Sequence, residues 1–112
     1  MAATLRAWFE TRPLMAPDQP CPPRSSNVVA IARSRDGTAE LRITRRPGNA
    51  YAFHFMAWAN FVDAGRGPHH AWHEFHPEHA LVADSLDTAV NVAFEDARLR
   101  GIELAALERT DA

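Results

Sequence analysis

Five of the six histidines of this 112-residue chain fall within eleven residues, in His69-His70-Ala71-Trp72-His73-Glu74-Phe75-His76-Pro77-Glu78-His79. Neutral imidazole is a common ligand of zinc, nickel and copper, so metal binding is the first chemistry these residues suggest. His73-Glu74 also opens the His-Glu-x-x-His pattern of zinc proteases, but position 77 is proline and the pattern fails. On a strand, His70, Glu74 and His76 would share one face and His69 and His73 the other, with His54 a third ligand from a neighbouring strand. A catalytic zinc needs three protein ligands in fixed geometry with support behind them. This spacing does not impose that. His70, His73, Glu74 and His76 are therefore the candidates for a metal-binding protein or small enzyme, against the plainer expectation of solvent-facing or hydrogen-bonded strand histidines with no metal or other cofactor. A third reading is pH-sensitive binding, because several imidazoles titrate together near neutrality.

Other chemistry has less to stand on. Ser25, Ser26, Ser34 and Ser85 fall in a linker, a strand end and a helix cap, and none lies in Gly-x-Ser-x-Gly. There is no glycine-rich phosphate loop. Cys21 is the only cysteine, set among prolines, which excludes an intrachain disulfide and a four-cysteine zinc site. The expectation is that the chain is not an enzyme.

All 12 basic residues are arginine, a composition that fits a GC-rich bacterial or phage genome. The net charge of −2 is unevenly spread: residues 24–46 carry +4 and residues 78–112 carry −5. Arg33, Arg35, Arg42, Arg45 and Arg46 on a hairpin could contact phosphates, so nucleic-acid binding is one alternative. A pI near 6.3 speaks against a dedicated binder of that kind. No apolar run approaches the roughly 18 residues of a membrane span, and the N-terminus makes a poor secretory signal. A cytoplasmic protein is expected.

These groups must be positioned by few elements. Thr4 can cap a short helix whose Leu5, Trp8 and Phe9 form one apolar side. Five prolines between Pro13 and Ser26 then make a linker or a strap laid over the surface. Asn27–Arg35 and Thr38–Arg46 read as strands joined by Asp36-Gly37, a two-residue hairpin signal in which both positions tolerate positive φ. In the second strand Ala39, Leu41 and Ile43 alternate with Glu40, Arg42 and Thr44, so one face is expected to be wet. Ala50–Val62 puts Tyr51, Phe53, Phe55, Ala57, Ala59 and Phe61 on one face and Ala52, His54, Met56, Trp58 and Asn60 on the other. The second set is too apolar to be idle solvent surface. His69–His76 reads as a fourth strand. Leu86, Ala89, Val90, Ala93 and Ala97 make a helical stripe capped by Asp84 or Ser85 and stopped by Gly101, with Arg98 and Arg100 in its last turn. Glu103–Leu107 follows as a short strand or a further helical turn. The expected fold is α+β: a four-stranded antiparallel sheet with one C-terminal helix on one face, a short N-terminal helix and a Pro-rich strap. Residues 1–26 form the helix and linker, and 27–112 form the single domain.

The exposed-looking Met56 and Trp58, with Trp72 and the hairpin residues Arg42, Arg45 and Arg46, suggest a surface that binds another protein, since Trp and Arg are frequent hot spots. The alternative is that Trp8 and Phe9 cover this face. The run Ala83-Asp84-Ser85-Leu86-Asp87-Thr88-Ala89, following several strands, resembles the strand-to-helix junction of HicB-type antitoxins and of small bacterial immunity proteins. The Pro-Gly-Cys turn that precedes a HicB helix is missing. The resemblance implies a non-enzymatic protein that binds and neutralises a protein partner, a toxin or a host or phage factor, with a homodimer as a further possibility.

Overall fold

The computed structural model describes residues 17–63, 67–75 and 83–110. The N-terminal helix expected over Thr4–Phe9 lies outside them, as do His76 and His79. The fold is α+β: strands β1 (Val28–Arg33), β2 (Ala39–Arg46), β3 (Ala50–Asp63) and β4 (Gly67–Phe75), helix α1 (Leu86–Leu99) and strand β5 (Glu108–Arg109). All pairings are antiparallel, in the order β4-β3-β2-β1-β5. The expected four strands are thus five among the described residues. β5 has two charged, exposed residues and no β pattern of its own. It is a strand only because the free side of β1 pairs with it, at Ala30↔Arg109 and Ile31↔Glu108. Residues 103–107, expected as a short strand or a further helical turn, form neither: Leu104 makes a single antiparallel bridge to Ser34, flanked by hydrogen bonds from Arg35 N to Glu103 O and from Ala105 N to Arg33 O.

Loop chemistry sets the register. The β1–β2 connection is wider than a two-residue turn, because Ser34 N already donates to Ala39 O. Only Gly37 has positive φ there (77°). Asp36 does not need it: its Oδ1 accepts from Ser34 Oγ at 2.7 Å, Thr38 Oγ1 at 2.7 Å and Thr38 N at 3.0 Å, closing the loop by side chain. These bonds hold the Asp36 carboxyl below its ordinary pKa despite the burial that would raise it. The β2–β3 turn places both Gly48 (φ 82°) and Asn49 (φ 58°) in the left-handed region, which glycine and asparagine tolerate best.

Alternation then sorts the side chains. Ala32, Leu41, Ile43, Phe53 and Phe55 form the first face, and the stripe Ala89, Ala93 and Ala97 of α1 packs on it. These three alanines lie four residues apart and let the helix approach the sheet closely. A bulge between Val28 and Ala30 turns Val29 into the same core. The helix ends as its sequence dictates. Ser85 Oγ accepts from Thr88 N at 3.1 Å, Gly101 N donates to Arg98 O at 3.1 Å and Ile102 N to Ala97 O at 2.8 Å, a Schellman motif with Gly101 at φ 79°. Ser85→Ala should cost about 1 kcal/mol, read as a lower denaturant midpoint with an unchanged m-value.

Candidate functional site: the second sheet face and its edge

On the sheet face opposite α1, the β2 side chains that alternation predicts to be wet are buried. Glu40 is 3% exposed and Arg42 is 4% exposed. Arg42 Nε donates to Glu40 Oε2 at 2.7 Å, and Arg24 donates to both carboxylate oxygens, at 3.3 and 3.1 Å. Arg33 Nε stands 3.5 Å from Oε1. The other side of the Arg42 guanidinium reaches residues 21–23, donating to the Pro22 carbonyl, to the Pro23 carbonyl at 3.5 Å and to Cys21 Sγ at 3.2 Å. Residues 17–27, which contain no helix or strand, are thereby tied to the sheet. Burial would raise the Glu40 pKa, but the Arg24 and Arg42 hydrogen bonds outweigh it and hold the carboxyl below its usual range. Cys21 shifts the opposite way: burial, and then the Glu40 charge, push its thiol up. It therefore stays protonated near neutrality, in its less nucleophilic form.

The apolar part of this face is buried as well. Met56 is 5% exposed and Trp58 2%. Trp58 meets Trp72 edge-on at 5.7 Å and stacks on His70 at 5.9 Å. Trp72 is half-buried and its Nε1 donates to the Gln19 carbonyl at 2.9 Å. The expected docking set therefore divides. Met56, Trp58 and Arg42 are interior groups of the monomer, which corrects the expectation that they are exposed. Trp72 is partly open, and Arg45 and Arg46 are exposed at the far end of β2. Arg45 spends itself locally, its Nη2 donating to the Tyr51 hydroxyl at 3.4 Å and its guanidinium lying over the Tyr51 ring. Arg35, in the β1–β2 loop, lies beyond the opposite end of β2, roughly 25 Å away at the rise of an eight-residue strand. The hairpin arginines thus form no single stripe.

The histidines separate in the same manner. Register places His70, Trp58↔Trp72 and Met56↔Glu74 on the second face and Ala57↔His73 on the first. Of the metal candidates, only His70 and Glu74 share a face among the described residues. His54, also on that face, holds Glu74 Oε1 at 3.3 Å from its Nε2. Among the described residues no group of three or more His, Cys, Asp or Glu is placed to hold a metal.

What these residues surround is a strand edge. Trp58 N donates to Thr38 O on the β2 side, at 2.7 Å. Backbone direction alternates along an antiparallel strand, so Trp58↔Trp72 is the non-hydrogen-bonded type of pair within β3–β4. Tyr51 fits the same parity, exchanging bonds with Ala83 on the β4 side of β3. The backbone N–H and C=O of Ala71 and His73 therefore face β3, and those of His70 and Trp72 face away from the sheet. β4 pairs on one side only among the described residues. Its ladder to β3 runs unbroken from Phe55↔Phe75 to Asp63↔Gly67, with no bulge to deflect the edge.

The sequence reading missed both features. A cue for the buried ion pair was available: Glu40 and Arg42 stand two apart on the face they share with Met56 and Trp58, near a run of prolines whose carbonyls need donors. The edge had no local cue, because it depends on strand order. Among the described residues no helix is long and apolar enough to cross a membrane. Comparison of this chain with protein-family models, with curated proteins and with solved structures finds no match.

Proposed function

We propose that this is a protein-binding protein of the immunity, antitoxin or inhibitor kind, which neutralises a protein partner by occlusion and does so through the β4 edge. The observation that carries this reading is the outward row of His70 and Trp72 backbone groups on an unbulged strand. Such a row is a template for an added strand, where main-chain bonds give affinity and alternate side chains give specificity. Half-buried His70 and Trp72 and exposed Glu74 flank that row on one face and would supply the specificity. In this reading residues 17–24 act as a strap. They bind Glu40, Arg42 and Trp72 on the face that also holds the buried Met56 and Trp58, so recognition falls to the strand beside them. The resemblance of residues 83–89 to the antitoxin and immunity-protein junction points to the same class.

The test is a tagged pull-down from the native host with wild type and His70→Pro. Proline at 70 removes one outward N–H and leaves the bonds to β3 in place. Wild type should retain one partner at stoichiometric level, and the folded variant should lose it. Equal retention by both, or no partner for wild type, would contradict the proposal.

A further inference from the structure

Among the described residues β4, nine residues long, pairs on one side only, which raises the question of what occupies its other edge. β4, Gly-Pro-His-His-Ala-Trp-His-Glu-Phe, contains no lysine, and Glu74 is its only fully charged side chain. Proline stands at its second position and nowhere in its middle. Natural edges are commonly protected by lysine, proline, bulges or a covering element, and the central part of β4 has none of the first three.

Two identical strands can pair antiparallel about a twofold axis only where outward-facing backbone groups meet outward-facing groups. On β4 these belong to even-numbered residues, which leaves few registers. Centring on His70 sets imidazole against imidazole and puts Trp72 opposite Pro68, which has no N–H. Centring on Ala71 puts Glu74 opposite Pro68. Centring on His73 sets the Trp72 indole against the Glu74 carboxylate and leaves neither aromatic facing aromatic nor imidazole facing carboxylate, and centring on Glu74 opposes two carboxylates. Centring on Trp72 has none of these faults. It pairs Trp72 with its own copy, and on each side it sets His70 against Glu74, an imidazole donor against a carboxylate. The Glu74 side chain is 54% exposed while it meets His54, so its carboxylate can be reached from outside the sheet. Aromatic pairs and donor–acceptor pairs directly opposite each other each favour a register.

We infer that a second copy of this chain closes the β4 edge, with Trp72 facing Trp72 across the twofold axis and His70 facing Glu74 of the other copy on either side. The two sheets then join as one ten-stranded sheet, and the edge available to a foreign partner is the one released when the dimer parts. This rests on the reading of β4 as the binding edge and adds its regulation: self-association and partner capture exclude each other.

The experiment is sedimentation velocity on the purified chain from about 1 to 200 µM, a range that brackets micromolar association. The expected result is a concentration-dependent shift from 12.5 kDa to a species of about twice that mass. His70→Pro should remain monomeric throughout. Glu74→Arg and His70→Glu should each weaken the dimer at least tenfold. The double variant His70→Glu/Glu74→Arg should regain it, because the swapped charges face each other again in this register and in no other. A wild type that stays monomeric at the highest concentration would overturn the inference, whether because the edge is closed by residues 1–16 of the same chain or because it stays open. So would a dimer that His70→Pro leaves intact, or a double variant no better than its parents. The pull-down separates the two readings: a wild type that stays monomeric yet captures a partner that His70→Pro loses overturns the dimer and leaves the binding reading standing, whereas a monomer that captures nothing overturns both.

Discussion

Glu40→Leu is expected to destabilise the fold by about 3–5 kcal/mol, the usual cost of removing one partner from a buried ion pair. The carboxylate receives hydrogen bonds from Arg24 and from the buried Arg42, and has Arg33 within 3.5 Å. Taking it away leaves Arg42 interior, charged and bonded only to Cys21 and the carbonyls of Pro22 and Pro23. Glu40→Leu/Arg42→Leu should recover much of the loss, because a matched apolar pair on a face already holding Ile31, Met56 and Trp58 leaves no orphan charge. Chemical denaturation of wild type, both single variants and the double variant gives the coupling energy directly. Additive losses would show that the pair does not act as a unit. The same group sets a pH dependence. The Glu40 pKa is lowered in the folded state, so its contribution is fully present above the ordinary glutamate pKa near 4.3 and is lost as pH falls through the lower, folded value. Wild type should lose stability across that acidic window more steeply than Glu40→Gln.

A proline scan of β4 should give alternating results. Ala71→Pro removes an N–H that faces β3, at the pair with Ala59, and should cost about 3 kcal/mol or more, comparable to other interior proline substitutions. His70→Pro removes an N–H that faces away from the sheet, so its cost should stay near 1 kcal/mol, most of it from the lost contact of His70 with Trp58. Thermal or denaturant unfolding of the two variants, one residue apart, measures the difference. Equal losses would mean that His70 also donates to a strand, and the direction of the edge would be wrong.

What was legible in the sequence followed from local rules. Ser85, the alanine stripe and Gly101 announced α1, because cap, periodicity and stop are all local properties. Tyr51, Phe53 and Phe55 alternating with Ala52, His54 and Met56 announced a strand with two apolar faces. What was not legible depended on partners distant in sequence. Glu40 and Arg42 read as solvent residues because alternation says which face a side chain takes and not what lies over that face. Residues 21–24, about twenty positions earlier, decide the outcome through Arg42 and Arg24. Met56 and Trp58 need cover, but chain pattern cannot distinguish a partner from a segment of the same chain, such as the one that holds Trp8 and Phe9. β5 was invisible for the same reason, since Glu108 and Arg109 are strand residues only by virtue of the edge of β1. The histidine cluster shows the converse: its density suggested a site, and strand parity dispersed it by turning His73 to the face opposite His70 and Glu74.

The proposed function stands on the direction of the β4 backbone, and amide hydrogen exchange reads that direction residue by residue. In dilute solution, where self-association is absent, the amides of His70 and Trp72 should exchange at least about 100-fold faster than those of Ala71 and His73, the contrast between open and ladder-bonded groups. Equal and strong protection of all four at the lowest concentration would contradict it, because the edge would then already be closed within the monomer.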